Sequence, residues 1–164
     1  MRDGFIKVAA VTPEVKVADI AFNLAEIKRR ITEAAAGGAK LIVFPELSIS
    51  AYSCRDIFFN DLLLQKSREA LLDIAAFSTD IDALIFVGLP ISHNGKLYNV
   101  AAAVNKGHIL GLVPKLNVPN YGEFYELRQF TPASDPTRPS QLFIGGQTVP
   151  FSEKLLFECA EKPE

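Results

Sequence analysis

An α/β fold that passes into antiparallel α+β in its second half is predicted by three patterns in the 164 residues. Two continuous apolar runs, at 41–44 and 83–89, have the unalternating character of strands buried on both faces of a sheet. Each run is preceded by a stretch with a three- and four-residue apolar period, the mark of an amphipathic helix. Beyond residue 90, turn residues separate strand-like runs at short intervals, which reads as hairpins.

The first strand is Phe5-Ile6-Lys7-Val8-Ala9-Ala10-Val11, ended by Thr12-Pro13. From Asp19, the residues Ile20, Leu24, Ile27, Ile31, Ala34 and Ala35 build an apolar face, with Lys28, Arg29, Arg30 and Glu33 opposite. Gly37-Gly38 closes that helix. Strand, helix and the run 41–44 then form a right-handed βαβ unit. Asn60-Asp61 is the N-cap region of a second helix, with Leu62, Leu63, Ala70, Leu71, Ile74 and Phe77 as its apolar face. The strand 83–89 follows and is expected to stop at Pro90, which lacks an N–H for the ladder. Turns at Asn94-Gly95 and Asn105-Lys106-Gly107 bracket a strand at 97–104, and the next runs from 108 to 113. Three prolines make 131–140 a loop. Short strands are expected at 141–144, 147–150 and 155–159.

Length and a nearly half-hydrophobic composition indicate one domain, 1–164, with a sizeable core. A net charge of −2 and the lack of a basic stripe argue against a nucleic-acid partner. No apolar run reaches membrane-spanning length, and the N-terminus, from Met1 to Lys7, has no apolar signal core; no membrane partner and a cytoplasmic setting are expected. Cys54 and Cys159 make neither a disulfide framework nor a zinc spacing, and no metal site is expected. His93 and His108 lie near turns and read as ordinary edge histidines.

Two charged residues stand where chemistry is usually placed. Glu46 follows the run 41–44 after Pro45, in the crevice beyond the strand ends. Burial there would disfavour its charged form and suit a general base near neutral pH. Position alone leaves open that Glu46 caps a loop or pairs with a surface cation. Lys115 repeats the layout, an apolar strand, Pro114, then the charge. Facing Glu46 across a crevice it would neutralise an oxyanion; otherwise it is a surface lysine.

Taken together, Phe44-Pro45-Glu46-Leu47, Tyr52-Ser53-Cys54-Arg55-Asp56, Gly88-Leu89-Pro90, Tyr98-Asn99 and Pro119-Asn120-Tyr121-Gly122-Glu123-Phe124-Tyr125-Glu126 resemble the carbon–nitrogen hydrolase (nitrilase) superfamily. The last piece is most similar to the N-terminal glutaminase domains of glutamine-dependent NAD synthetases. The resemblance implies a four-layer α-β-β-α sandwich, of which this chain is the first part. It implies a Glu–Lys–Cys triad hydrolysing the amide of glutamine, with ammonia passed to NAD synthesis. Glu46 matches the base and Lys115 the cation. Tyr121 and Tyr52 match residues of the glutamine pocket, and Glu126, rather than Glu123, matches the second glutamate that positions the lysine. Ala51 stands where the family usually has glycine, which puts the local turn in question.

The nucleophile cysteine has no match. Cys54 is in a segment the family does not use for it, and Cys159 matches the strand before it. The resemblance puts the reactive thiol on the order of ten residues past Glu164. On this reading the chain alone hydrolyses no glutamine. It holds no cofactor itself; ATP, Mg and deamido-NAD would belong to a synthetase domain elsewhere, no Gly-rich phosphate loop being visible here. The family tends to form homo-oligomers. A small-molecule amidase or nitrilase of the same superfamily, and a non-catalytic fragment, are the alternatives.

Overall fold

A computed structural model describes residues 5–159. Of the stretch read for a signal core, residues 1–4 lie outside the described residues, as do the closing residues 160–164. A mixed α/β architecture is observed, with a five-stranded sheet in the order β1-β2-β3-β4-β5. The strands β1 (Val8–Ala10), β2 (Leu41–Val43) and β3 (Leu84–His93) are parallel; β4 (Lys96–Asn105) and β5 (His108–Pro114) continue as an antiparallel meander. Helices α1 (Ile20–Ala36) and α2 (Asp61–Phe77) connect the parallel strands. Successive right-handed crossovers in one direction put both on the same face, where they pack on each other.

Both helices begin where their caps predict. The Asp19 carboxylate accepts the Phe22 N–H, and the Asn60 side chain accepts from Leu62 and Leu63, each cap being worth ~1 kcal/mol. Ile27 and Ile31 of α1 and Leu71 and Ile74 of α2 are buried against the sheet. Leu62 and Phe77, expected on the apolar face of α2, are exposed instead; the buried row runs through Leu63, Ser67, Ala70, Leu71 and Ile74.

Two strand expectations are corrected. Strand β2 is buried on one face only: Ile42 is inside, whereas Val43 is 41% exposed on the face away from the helices. Strand β3 does not stop at Pro90 but runs through it to the hairpin turn, Pro90 pairing with Asn99. The Asn99 carbonyl accepts from Lys115, so this pair is not hydrogen-bonded between β3 and β4. The ring nitrogen of Pro90 thus faces the side where β2 has already ended, and no ladder bond is lost.

The tight turns are as expected. Asn94 and Gly95, and Lys106 and Gly107, all have positive φ, the geometry of two-residue hairpin loops. A small ribbon, β6 (Gln141–Ile144) with β7 (Gln147–Pro150), joins the sheet edge through a parallel bridge between Phe151 and Leu112. The strand expected at 155–159 is absent. This segment lies across the open sheet face, where the Phe157 ring meets Phe86 edge-on and the Leu155 side chain occupies the space a Cβ at Gly111 would need. Among the described residues no helix is long and apolar enough to cross a membrane.

Candidate active site

Past β2, the chain replaces a strand alongside β3. The Phe44 N–H donates to Phe86 O at 2.9 Å and the Ile49 N–H to Gly88 O at 3.0 Å. Ser48 Oγ accepts the Gly88 N–H at 3.2 Å. The approach depends on the missing side chain at residue 88, where a Cβ would lie 2.2 Å from the Leu47 nitrogen. From the other side Asn23, fully buried on α1, donates to Ile49 O at 3.0 Å and trades bonds of 2.7 and 2.9 Å with Lys16. Glu46 is thereby fixed on a loop held from both flanks.

That loop is strained. Leu47, Ala51 and Arg55 all have positive φ, and Ala51 at φ 70°, ψ 150° occupies a region essentially reserved for glycine. An alanine at this position therefore has a physical cost. Ala51→Gly is expected to raise stability by ~1–2 kcal/mol, the relieved strain exceeding the entropy glycine adds to the unfolded chain. A urea midpoint that moves down would show that the turn accommodates alanine.

Lys115 follows β5, its N–H bonded to Asn99 O and its carbonyl accepting from Ala133. The ammonium Nζ lies 2.8 Å from Glu46 Oε1, and 3.0 and 2.8 Å from the two oxygens of Glu126. Glu126 opens the short helix α3 (Glu126–Gln129), and its Oε1 also accepts the Tyr52 hydroxyl at 2.7 Å. The Asn99 amide donates to Glu46 Oε1. Side-chain exposure falls from 39% at Glu46 through 26% at Lys115 to 7% at Glu126. The expected burial of Glu46 is therefore not found; it sits at the mouth of the cluster, held by hydrogen bonds.

Burial pulls the Lys115 ammonium toward deprotonation, but hydrogen bonds to Glu126 and Glu46 outweigh it and hold its pKa above the ordinary lysine value. Burial, reinforced by the bond to Glu126, pushes the Tyr52 phenol up, so it stays a neutral donor. Two carboxylates around one ammonium can accept a proton on one side and stabilise developing negative charge on the other.

A groove of about 940 Å³ opens beside the cluster, between the 3-10 segment Tyr52–Phe59 and residues 123–130. It shares Tyr52 and Glu126 with the cluster, whereas Glu46 and Lys115 do not line it. A bidentate Arg128–Asp56 pair, both bonds 2.8 Å, clasps its walls; Arg128, then Gln129, hold the Asp56 carboxyl down at about 2.

The structure thus brings Glu46, Lys115, Glu126 and Tyr52 together. Tyr121 is not among them: it is 73% exposed, its ring edge-on to Phe124. Glu123 lines the groove, while Lys115 pairs with Glu126. Neither cysteine joins the cluster. Cys54 is buried with Sγ donating to Ser50 O at 3.0 Å, and burial pushes its thiol up, against weaker opposing hydrogen bonds. Cys159 lies exposed on another groove, away from the cluster and lined also by Phe5, Ile6 and Phe157. Sequence reasoning includes Asn99 in the Tyr98-Asn99 piece without giving it a role, and misses Asn23; the signal was a lone amide inside an apolar strand and an apolar helix face, each needing a buried partner. Among the described residues no group of three or more His, Cys, Asp or Glu side chains is placed to hold a metal ion.

The family model described as Carbon-nitrogen hydrolase matches residues 7–153. A glutamine-dependent NAD(+) synthetase of Mycobacterium tuberculosis is 40% identical over 162 residues, which is 99% of this chain and 24% of that protein. A crystal structure of a glutamine-dependent NAD(+) synthetase from Cytophaga hutchinsonii superposes with a TM-score of 0.86 at 27% identity, covering 94% of this chain and 26% of that one. An amidase from Nesterenkonia sp. shares the fold, with a TM-score of 0.66 at 22% identity over 87% of this chain and 53% of its own. The chain spans about a quarter of the length of the curated relatives it matches.

Proposed function

Since this chain belongs to the carbon–nitrogen hydrolase family, we propose that it forms the first part, 1–164, of a glutaminase domain supplying ammonia for ATP-dependent NAD synthesis from deamido-NAD. The observation that carries the reading is the Lys115 ammonium bridging Glu46 and Glu126. Glu46 takes the proton of a cysteine thiol, and the thiolate attacks the amide carbon of glutamine. Lys115 faces the oxygen that becomes negative. The proton passes to the departing ammonia, leaving a thioester that water cleaves to glutamate. Glu126 and Tyr52 hold Lys115 in place, and Tyr121 contributes to the glutamine pocket. Neither described cysteine touches Glu46 or Lys115, and the resemblance implies a nucleophile on the order of ten residues past Glu164. ATP, Mg and deamido-NAD would be held by another domain. The resemblance also supports a cytoplasmic, self-associating protein.

The test is ammonia release from glutamine. This chain alone is expected to show none above background, while the longer polypeptide read in frame past residue 164 turns over and loses activity on Glu46→Gln. Turnover by the chain alone, abolished by Cys159→Ser, would overturn the assignment of the nucleophile.

A further inference from the structure

We infer that Asn99 is a positioning residue that clamps one oxygen of Glu46 and leaves the other as the proton acceptor. Asn99 is buried in β4 between Tyr98 and Val100, where an amide without partners would be costly. Its Nδ2 donates to Glu46 Oε1, and its carbonyl accepts the backbone N–H of Lys115 at 2.8 Å. One residue thus holds Glu46 through its side chain and the chain just past β5 that bears Lys115 through its main chain.

The two donors that reach Glu46 converge on a single atom. Oε1 takes both the Asn99 amide and the Lys115 ammonium, whereas Oε2 accepts nothing among the described residues. A glutamate carboxylate turns easily about its last torsion. A lysine on its flexible stem could follow that turn and meet either oxygen. The amide of Asn99, fixed in a sheet, cannot follow. It therefore sets the carboxylate plane and leaves Oε2 without a donor among the described residues, on a side chain that is 39% exposed.

The inference rests on the glutaminase reading for its kinetics but not for its geometry, so the experiment has two arms. In the 164-residue chain, NMR of the Asn99 side-chain amide should show a downfield proton that moves upfield and exchanges faster with water in Glu46→Ala. An unmoved resonance would overturn the clamp. In the longer polypeptide that releases ammonia, Asn99→Leu should lower kcat on the order of 10²-fold with KM nearly unchanged, the scale of a slightly misplaced group. Added to Glu46→Ala, it should lower kcat no further, because the two residues act as a unit. Equal losses in both backgrounds would mean that Asn99 only supports the core, and would overturn the positioning role. If Asn99→Leu does not fold, Asn99→Ser with the same cycle takes its place. Complete absence of glutamine turnover in the wild type would sink the glutaminase reading, and the amide resonance would then decide the clamp by itself.

Discussion

Lys115→Met is expected to destabilise the protein by ~3–5 kcal/mol, the range for breaking a buried ion pair from one side. The ammonium is the shared partner of two carboxylates, and Glu126, with 7% of its side chain exposed, cannot turn to water when it is lost. Methionine restores the volume of the stem but none of the charge, which isolates the electrostatic part. Adding Glu126→Gln to the variant should recover most of the loss, since a neutral amide can still accept the Tyr52 hydroxyl. Urea unfolding of the single and double variants at neutral pH measures both effects. A single-variant loss under ~1 kcal/mol would place the cluster with exposed ion pairs. Because the folded pKa of Lys115 is raised, its contribution is whole below the unfolded value of 10.5 and fades only as pH climbs through the higher folded one.

Gly88→Ala is expected to cost ~3 kcal/mol or more, at the upper end of overpacking, for a reason no side-chain repacking can cure. The added methyl would meet the Leu47 nitrogen at 2.2 Å, the Pro45 oxygen at 2.8 Å and the Glu46 carbonyl carbon at 2.9 Å, all of them backbone. Relief requires the Glu46 loop to lift off β3, breaking the bonds from Ile49 and to Ser48. The substitution should therefore move Glu46 away from Lys115 as well as weaken the fold. Unfolding curves together with a crystal structure of the variant would show this; wild-type stability with the loop unmoved would contradict it. A matched Gly95→Ala change meets nothing within 4 Å and serves as the control for glycine replacement in general, its positive φ aside.

Much of the fold was legible because its signals are local. Asp19 and Asn60 mark helix starts through side-chain oxygens, and Asn94-Gly95 marks a turn through a conformation few residues accept. The strands β6 and β7 are expected only as separate short runs, and the structure pairs them across Gly145-Gly146, both with positive φ. What failed was whatever depends on a distant neighbour. Pro90 ends a strand only if a partner waits on its nitrogen side, and here β2 has already stopped. The run 41–44 reads as doubly buried because leucine and valine look alike inside and at a half-open face. Leu155 and Phe157 are apolar because they cross that face, which composition alone cannot tell from a strand.

The candidate site divides in the same manner. Glu46 and Lys115 stood out by their place after core strands, and the family likeness pointed to Glu126. The Asn99 amide belongs to one of the family-like pieces but has no role legible there, because a single asparagine in an apolar strand names no partner. The outward position of Tyr121 was equally invisible, since its segment has no period from which a facing could be read.

Four bonds around the cluster span great lengths of chain: Asn99 to Glu46 across 53 residues, Lys115 to Glu46 across 69, Arg128 to Asp56 across 72, and Tyr52 to Glu126 across 74, while Lys115 to Glu126 spans 11. Closing so large a loop carries one entropic penalty, which grows only slowly with length and falls on whichever link forms first. The remaining three then form with that penalty already met. The crossover half and the meander half should consequently engage or separate in one step, so that partial docking of the cluster's groups is seldom populated.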